Sequence, residues 1–128
     1  MSQATHTLER FEPLLLVAVG GFAGAILRSA TSAALPGGFP WGTLAVNVAG
    51  SFALGVLLCE AHLTDLLAPE TRLLVGTGFL SSFTTYSTFA VQTAGLSPTL
   101  AAANVAVNYV LGILAVFLGR RVVGGDVS

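Results

Sequence analysis

Between Leu73 and Gly119 the chain contains no Asp, Glu, Lys or Arg. A run of that length and polarity belongs in a bilayer, where about 20 apolar residues in a helix cross a hydrocarbon core of roughly 30 Å. Yet Ser81, Ser82, Thr84, Thr85, Ser87 and Thr88 place six serine and threonine hydroxyls within eight residues of that run. Hydrocarbon offers no partner for a hydroxyl or for a loosened backbone, so such a cluster must face protein or a polar cavity. One or two such residues would simply bond back to the carbonyl four residues earlier, or join two helices. The density here predicts instead a helix broken near its middle, with freed amides and carbonyls at the membrane midplane where ions can be held. On helical spacing Ser82, Tyr86 and Phe89 share one face, beside a polar stripe of Ser81, Thr85, Thr88 and Gln92.

The rest of the chain fits the same environment. Of 128 residues 54% are hydrophobic and 9% charged, against about 25% charged in soluble domains. The expected fold is an all-α integral membrane protein, a single domain of four transmembrane helices over about 14–34, 41–59, 73–93 and 99–119. Residues 1–12 read as a polar tail, and Pro13 suits a helix start. A cleaved signal peptide is the rival for the first span, but the tail lacks a basic n-region. Gly20 and Gly24 form a GxxxG pair, echoed by Gly21 and Ala25, for close approach of another helix. Arg28 lies one turn further on, either snorkelling to the interface or standing as a cation at a vestibule mouth. Leu35 to Pro40 is a turn, with Trp41 at an interfacial position.

The second span aligns Thr43, Asn47 and Ser51 at i, i+4, i+8, beside a small-residue stripe of Ala45, Ala49 and Ala53. Alone, Asn47 reads more readily as glue between helices than as a ligand contact. Beside the hydroxyl cluster it points to a pathway. Residues 60–72 form a polar loop containing Glu60, Asp65, Pro69 and Glu70. The fourth span carries Asn104, Asn108 and Gly112 at the same i, i+4, i+8 spacing. Four spans put both termini on one side. Arg10, Arg72, Arg120 and Arg121 lie there against Arg28 opposite, so that side is cytoplasmic. Four short helices cannot enclose a pore, and the small-residue face of span one invites a second subunit.

Several function classes drop out. The net charge is −1 and lysine is absent, so nothing suggests a nucleic-acid partner. The single cysteine, Cys59, cannot form an internal disulfide and reads as a buried thiol. His6 and His62 make no metal-ligand pattern with it. The spans lack the converging ionisable groups an enzyme would need, so the chain is not expected to be one. A small multidrug-type exporter needs a membrane-embedded carboxylate, and Glu60 lies only at the end of span two.

Three stretches, in order along the chain, resemble the Fluc (CrcB) fluoride-channel family. Gly20-Gly21-Phe22-Ala23-Gly24-Ala25-Ile26-Leu27-Arg28 is similar to GGxxGAxxR. Residues 42–52, from Gly42-Thr43-Leu44 through Asn47 to Gly50-Ser51-Phe52, are similar to GTLxVNxxGSF. Thr84-Thr85-Tyr86-Ser87-Thr88-Phe89 is similar to TTFSTF. The resemblance implies a passive fluoride-selective channel of the cell membrane, which exports fluoride from the cytoplasm and so lowers its toxicity. It implies an antiparallel dimer with two pores and a structural sodium ion at its centre. The family's paired phenylalanines fall on Tyr86 and Phe89, its pore asparagine on Asn47 and its vestibule arginine on Arg28. Thr85, Ser87 and Thr88 would supply part of a polar track. Asn104 and Asn108 stand where the fourth span usually offers Tyr and Ser. Carbonyls near Ser81 and Thr84 would hold the sodium.

The physics of an anion pore agrees, because an aromatic ring has a positive edge that can solvate an anion weakly. Departures are Tyr86 for Phe, Ser81-Ser82 for a Gly-Gly pair at the break, and Gln92 near a position that is often acidic. A chain that inserts both ways needs balanced basic residues, and four arginines against one predict a fixed orientation. That favours an oppositely oriented paralogue over a homodimer, and leaves a non-conducting subunit of a heterodimer as an alternative function.

Overall fold

The computed structural model describes residues 2–63 and 66–124, with side chains over 10–61 and 66–124. Among these residues the chain is all helical. Helix α1 spans Ser2–Ala34, α2 Trp41–Leu63 and α3 Pro69–Arg72. Leu73–Leu80 winds on from α3 as a wider π-helix, followed by α4 over Ser81–Phe83, α5 over Ser87–Ala94 and α6 over Pro98–Gly124. Three helices are long and apolar enough to cross a membrane, over Arg10–Ala34, Trp41–Ala61 and Pro98–Gly124. This makes a multi-pass membrane protein. The third apolar stretch is helical in two pieces, and α5 with its eight residues is only about 12 Å long.

Boundaries depart from the sequence reading in three places. Helix α1 begins at Ser2 and carries Pro13 inside it, where a tail and a helix start at Pro13 were expected. Proline costs the helix only one amide bond and one carbonyl clash. Helix α2 runs on past Cys59 to Leu63, and α3 adds a turn within the expected loop. The expectations for His6, His62 and Asp65 lie outside the described side chains.

Glycines decide the packing. A Cβ on Gly24 would meet the carbonyl oxygen of Phe79 and lie 3.1 Å from Phe83 N; one on Gly20 would lie 2.9 Å from Phe79 N. The GxxxG face of α1 is therefore filled by the π-helix and α4 of its own chain, correcting the expectation that it invites a second subunit. The same device joins α2 to α6. A Cβ on Gly55 would lie 3.0 Å from the Val116 backbone, and one on Gly119 2.9 Å from Val56 N. Backbones in such close contact gain dispersion and exclude lipid.

The helices pack with the π-helix and α4 between α1 and α2, α1 beside α2, α2 along α6, and α5 on α6. Little is enclosed. Val46 and Asn104 are the largest fully buried side chains, while Leu14, Val19, Phe22, Ile113, Leu114 and Phe117 are exposed. An apolar exterior of this extent suits lipid or another subunit.

Where the α2 end meets the loop, Glu60 is buried and accepts from Arg72 Nη2 at 2.6 Å and from the Leu67 amide at 3.2 Å. The carboxylate ties the loop before α3 and the last residue of α3 back to α2.

Candidate functional site

The helical ladder stops after Phe83. Thr84 is extended, with φ −82° and ψ 159°, and helix resumes at Ser87. An interruption strands the backbone groups on either side of it. Asn47 on α2 meets them. Its Oδ1 accepts from the Thr85 amide at 2.8 Å and its Nδ2 donates to the Thr85 carbonyl at 2.9 Å. One side-chain amide thus holds the backbone N–H and C=O of one residue, in the peptide groups on either side of it, and Asn47 serves as glue at the break itself.

The break begins at Thr84, two residues beyond Ser82, in the stretch near Ser81 and Thr84 where it was expected. Ser81 is helical, at φ −66° and ψ −27°, so the residues that replace glycine need no left-handed backbone; the described glycine with positive φ is Gly38, in the α1–α2 turn. The hydroxyls divide by role. Ser81 Oγ donates back to the Thr77 and Gly78 carbonyls, and Thr84 Oγ1 to the Leu80 carbonyl at 2.8 Å. Thr85 Oγ1 accepts the Thr88 amide at 3.1 Å and so caps the new helix. The stripe drawn on one continuous helix from Ser81 to Gln92 is cut by the break. Tyr86 and Phe89 stay together, with ring centroids 6.1 Å apart.

Beside the break lies a groove of about 280 Å³. Helix α2 lines it with Asn47 and Ser51, the break and α5 with Thr85, Tyr86 and Phe89, and α6 with Asn108, Tyr109, Gly112, Ile113 and Val116. Five of the candidate pore residues therefore come together, Asn47, Thr85, Tyr86, Phe89 and Asn108, with Ser51 and Gly112 of the two polar stripes beside them. Asn104 is fully buried behind them. Ser87 and Thr88 follow the break on α5 but are not among the groove's lining residues, and Arg28 lies on α1, half-buried and also outside that lining. Tyr109 was missed. Its ring stands edge-on to Phe89, at 81° and 6.4 Å, and its place next to Asn108 was the available signal.

A chain of amides backs the groove. Asn47 Nδ2 reaches Asn108 Oδ1 at 3.5 Å; Asn108 Nδ2 donates to the Asn104 carbonyl at 2.8 Å and to Asn104 Oδ1 at 2.9 Å. Asn104 Nδ2 donates to Thr93 Oγ1 at 2.8 Å, and Thr93 Oγ1 to the Phe89 carbonyl at 2.7 Å. One turn before Asn47, buried Thr43 donates to Gln92 Oε1 at 2.6 Å. Ring edges, amides and hydroxyls without a fixed charge can solvate a small ion weakly, as a conducting site requires.

For a cation the relevant atoms are carbonyls. In a continuing helix the Thr85 amide would bond the Ser81 carbonyl and the Thr88 amide the Thr84 carbonyl. Here those amides go to Asn47 Oδ1 and Thr85 Oγ1. The Ser81 and Thr84 carbonyls are thereby released, and neutral oxygens of this kind fit a hard monovalent cation.

Residues 15–120 match the family described as CrcB-like protein, camphor resistance (CrcB). A protein of Natronomonas pharaonis named fluoride-specific ion channel FluC 1 is 56% identical over 84% of this chain and 91% of its own length. Halobacterium salinarum FluC 2 is 57% identical over 84% of this chain and 83% of its own. Haloarcula marismortui FluC 1 is 54% identical over 93% of this chain and 91% of its own.

Proposed function

The chain belongs to the CrcB-like family, and on that premise we propose that it is a passive fluoride-selective channel that lets fluoride leave the cytoplasm. The observation that carries this reading is the groove at the helix break, where Asn47, Thr85, Tyr86, Phe89 and Asn108 meet inside apolar segments. A dehydrating fluoride ion would meet ring edges from Phe89 and Tyr86 and hydrogen-bond donors from Asn47. No cation in the groove would trap it. Arg28 would concentrate anions at the mouth. The reading includes four crossings, the broken third stretch making one of them, in the cell membrane with both termini cytoplasmic.

The groove is open on the surface of this chain, so we read the working unit as an antiparallel dimer. The Ser81 and Thr84 carbonyls, doubled by a twofold copy, would hold a sodium ion that neutralises carbonyl dipoles where two broken helices meet. The arginine bias favours a paralogue as the second subunit, and relatives numbered FluC 1 and FluC 2 suit that reading. Tyr86 in place of phenylalanine keeps a non-conducting subunit as the second reading. A proton-coupled drug exporter is disfavoured, because Glu60 is engaged by Arg72 at the end of α2.

The test is fluoride release from liposomes holding this chain alone, read with a fluoride electrode and with chloride as control. Rapid fluoride release without chloride release is expected of a self-sufficient channel. Flux only after co-expression with an oppositely oriented paralogue would establish the heterodimer. Silence in both preparations would overturn the channel reading.

A further inference from the structure

Backbone groups fix the direction of every amide in the chain behind the groove. The Thr85 N–H and C=O admit one orientation of Asn47, with Nδ2 towards α6. The Asn104 carbonyl admits one orientation of Asn108, with Nδ2 towards Asn104. The Thr93 hydroxyl gives its proton to the Phe89 carbonyl, so its oxygen can only accept from Asn104 Nδ2, which leaves Asn104 Oδ1 for Asn108. An asparagine amide has two hydrogens, and both of those on Asn108 are held by Asn104. Asn108 thus offers the groove an acceptor. The atom it meets is Asn47 Nδ2, at 3.5 Å, long for a hydrogen bond, while the other Asn47 hydrogen is held firmly by Thr85.

Resting on the channel reading above, we propose that Asn104 is a positioning residue that sets how tightly the groove holds an anion. It keeps the oxygen of Asn108 on the one loosely held hydrogen of Asn47. An anion takes that hydrogen only by displacing Asn108 Oδ1, and it then sits near a partial negative charge. Turning the Asn108 amide would not help, since its oxygen would face the Asn104 carbonyl and Oδ1. The pair acts as an internal competitor that keeps occupancy short.

The experiment measures fluoride flux against fluoride concentration in whichever preparation conducts, this chain alone or with its paralogue. Asn108→Leu removes the competing oxygen, and the half-saturating fluoride concentration should fall about three- to tenfold, the scale of one hydrogen bond. Asn104→Leu frees one Asn108 hydrogen for the groove and should shift it the same way, by less. In the double variant the Asn104 change should add nothing. Should Asn104→Leu fail to fold, Asn108→Leu carries the test. A rise in half-saturating fluoride for Asn108→Leu would mean that Asn108 donates to the ion, overturning the proposal while leaving the channel intact. Additive effects of the two leucines would overturn the positioning role. Absence of any wild-type flux overturns the channel reading and this inference with it.

Discussion

Asn47 joins two readings that residue-level reasoning held apart, glue and pathway. Its amide is held by the Thr85 N–H and C=O and still lines the groove. Asn47→Leu strips the partner from each of these two backbone groups and should cost roughly 2 kcal/mol or more, since unmade hydrogen bonds are expensive away from water; a thermal unfolding curve in detergent that matches wild type would contradict the clamp. Tyr86 is a milder case. It is 73% exposed and its ring contact with Phe89 is one a phenylalanine can also make, so Tyr86→Phe should leave stability within about 0.5 kcal/mol of wild type and retain fluoride flux. Glu60 holds both a guanidinium and a loop amide. Glu60→Gln should therefore cost about 1 kcal/mol, with earlier proteolysis around α3 as the readout, because a charge-assisted hydrogen bond gives way to a neutral one. Asn47, Phe89 and Asn108 were legible from type and spacing. Tyr109 was not, because an aromatic among aliphatics on an apolar helix has no polar pattern to mark it.

Elements pack here by backbone approach. Gly24 faces the Phe79 backbone and Gly119 the Phe52–Val56 backbone, with no room for a methyl group. Gly24→Ala should push α1 from the π-helix at a cost of about 1–3 kcal/mol. Gly112→Ala should be tolerated, its nearest neighbour being Ser51 Oγ at 3.5 Å. Equal melting temperatures for the two alanine variants would show that the α1 contact is looser than described. An interruption near Ser81 and Thr84 was foreseeable, yet what holds it was not. Ser81 and Thr84 bond back to preceding carbonyls as the helix ends, and Asn47, 38 positions away in sequence, draws the Thr85 amide out of the ladder.

At the scale of the whole molecule the exposed apolar faces support an assembly, and the released carbonyls of Ser81 and Thr84 support a cation within it. If sodium is held there, replacing it with a larger monovalent cation should lower the melting temperature of the solubilised protein; indifference to the cation would remove sodium from the assembly. Membrane residence, the helical class and the family follow from the sequence by itself, because a charge-free run has one favourable solvent and three ordered motifs are hard to meet by chance. Which surfaces are used was decided by the tertiary structure. The GxxxG face could serve a neighbour in the same chain or in another subunit, and only the path of the π-helix across α1 assigns it. The directions of the Asn47, Asn108 and Asn104 amides are likewise invisible in a sequence, since each is set by a backbone group that folding brings against it.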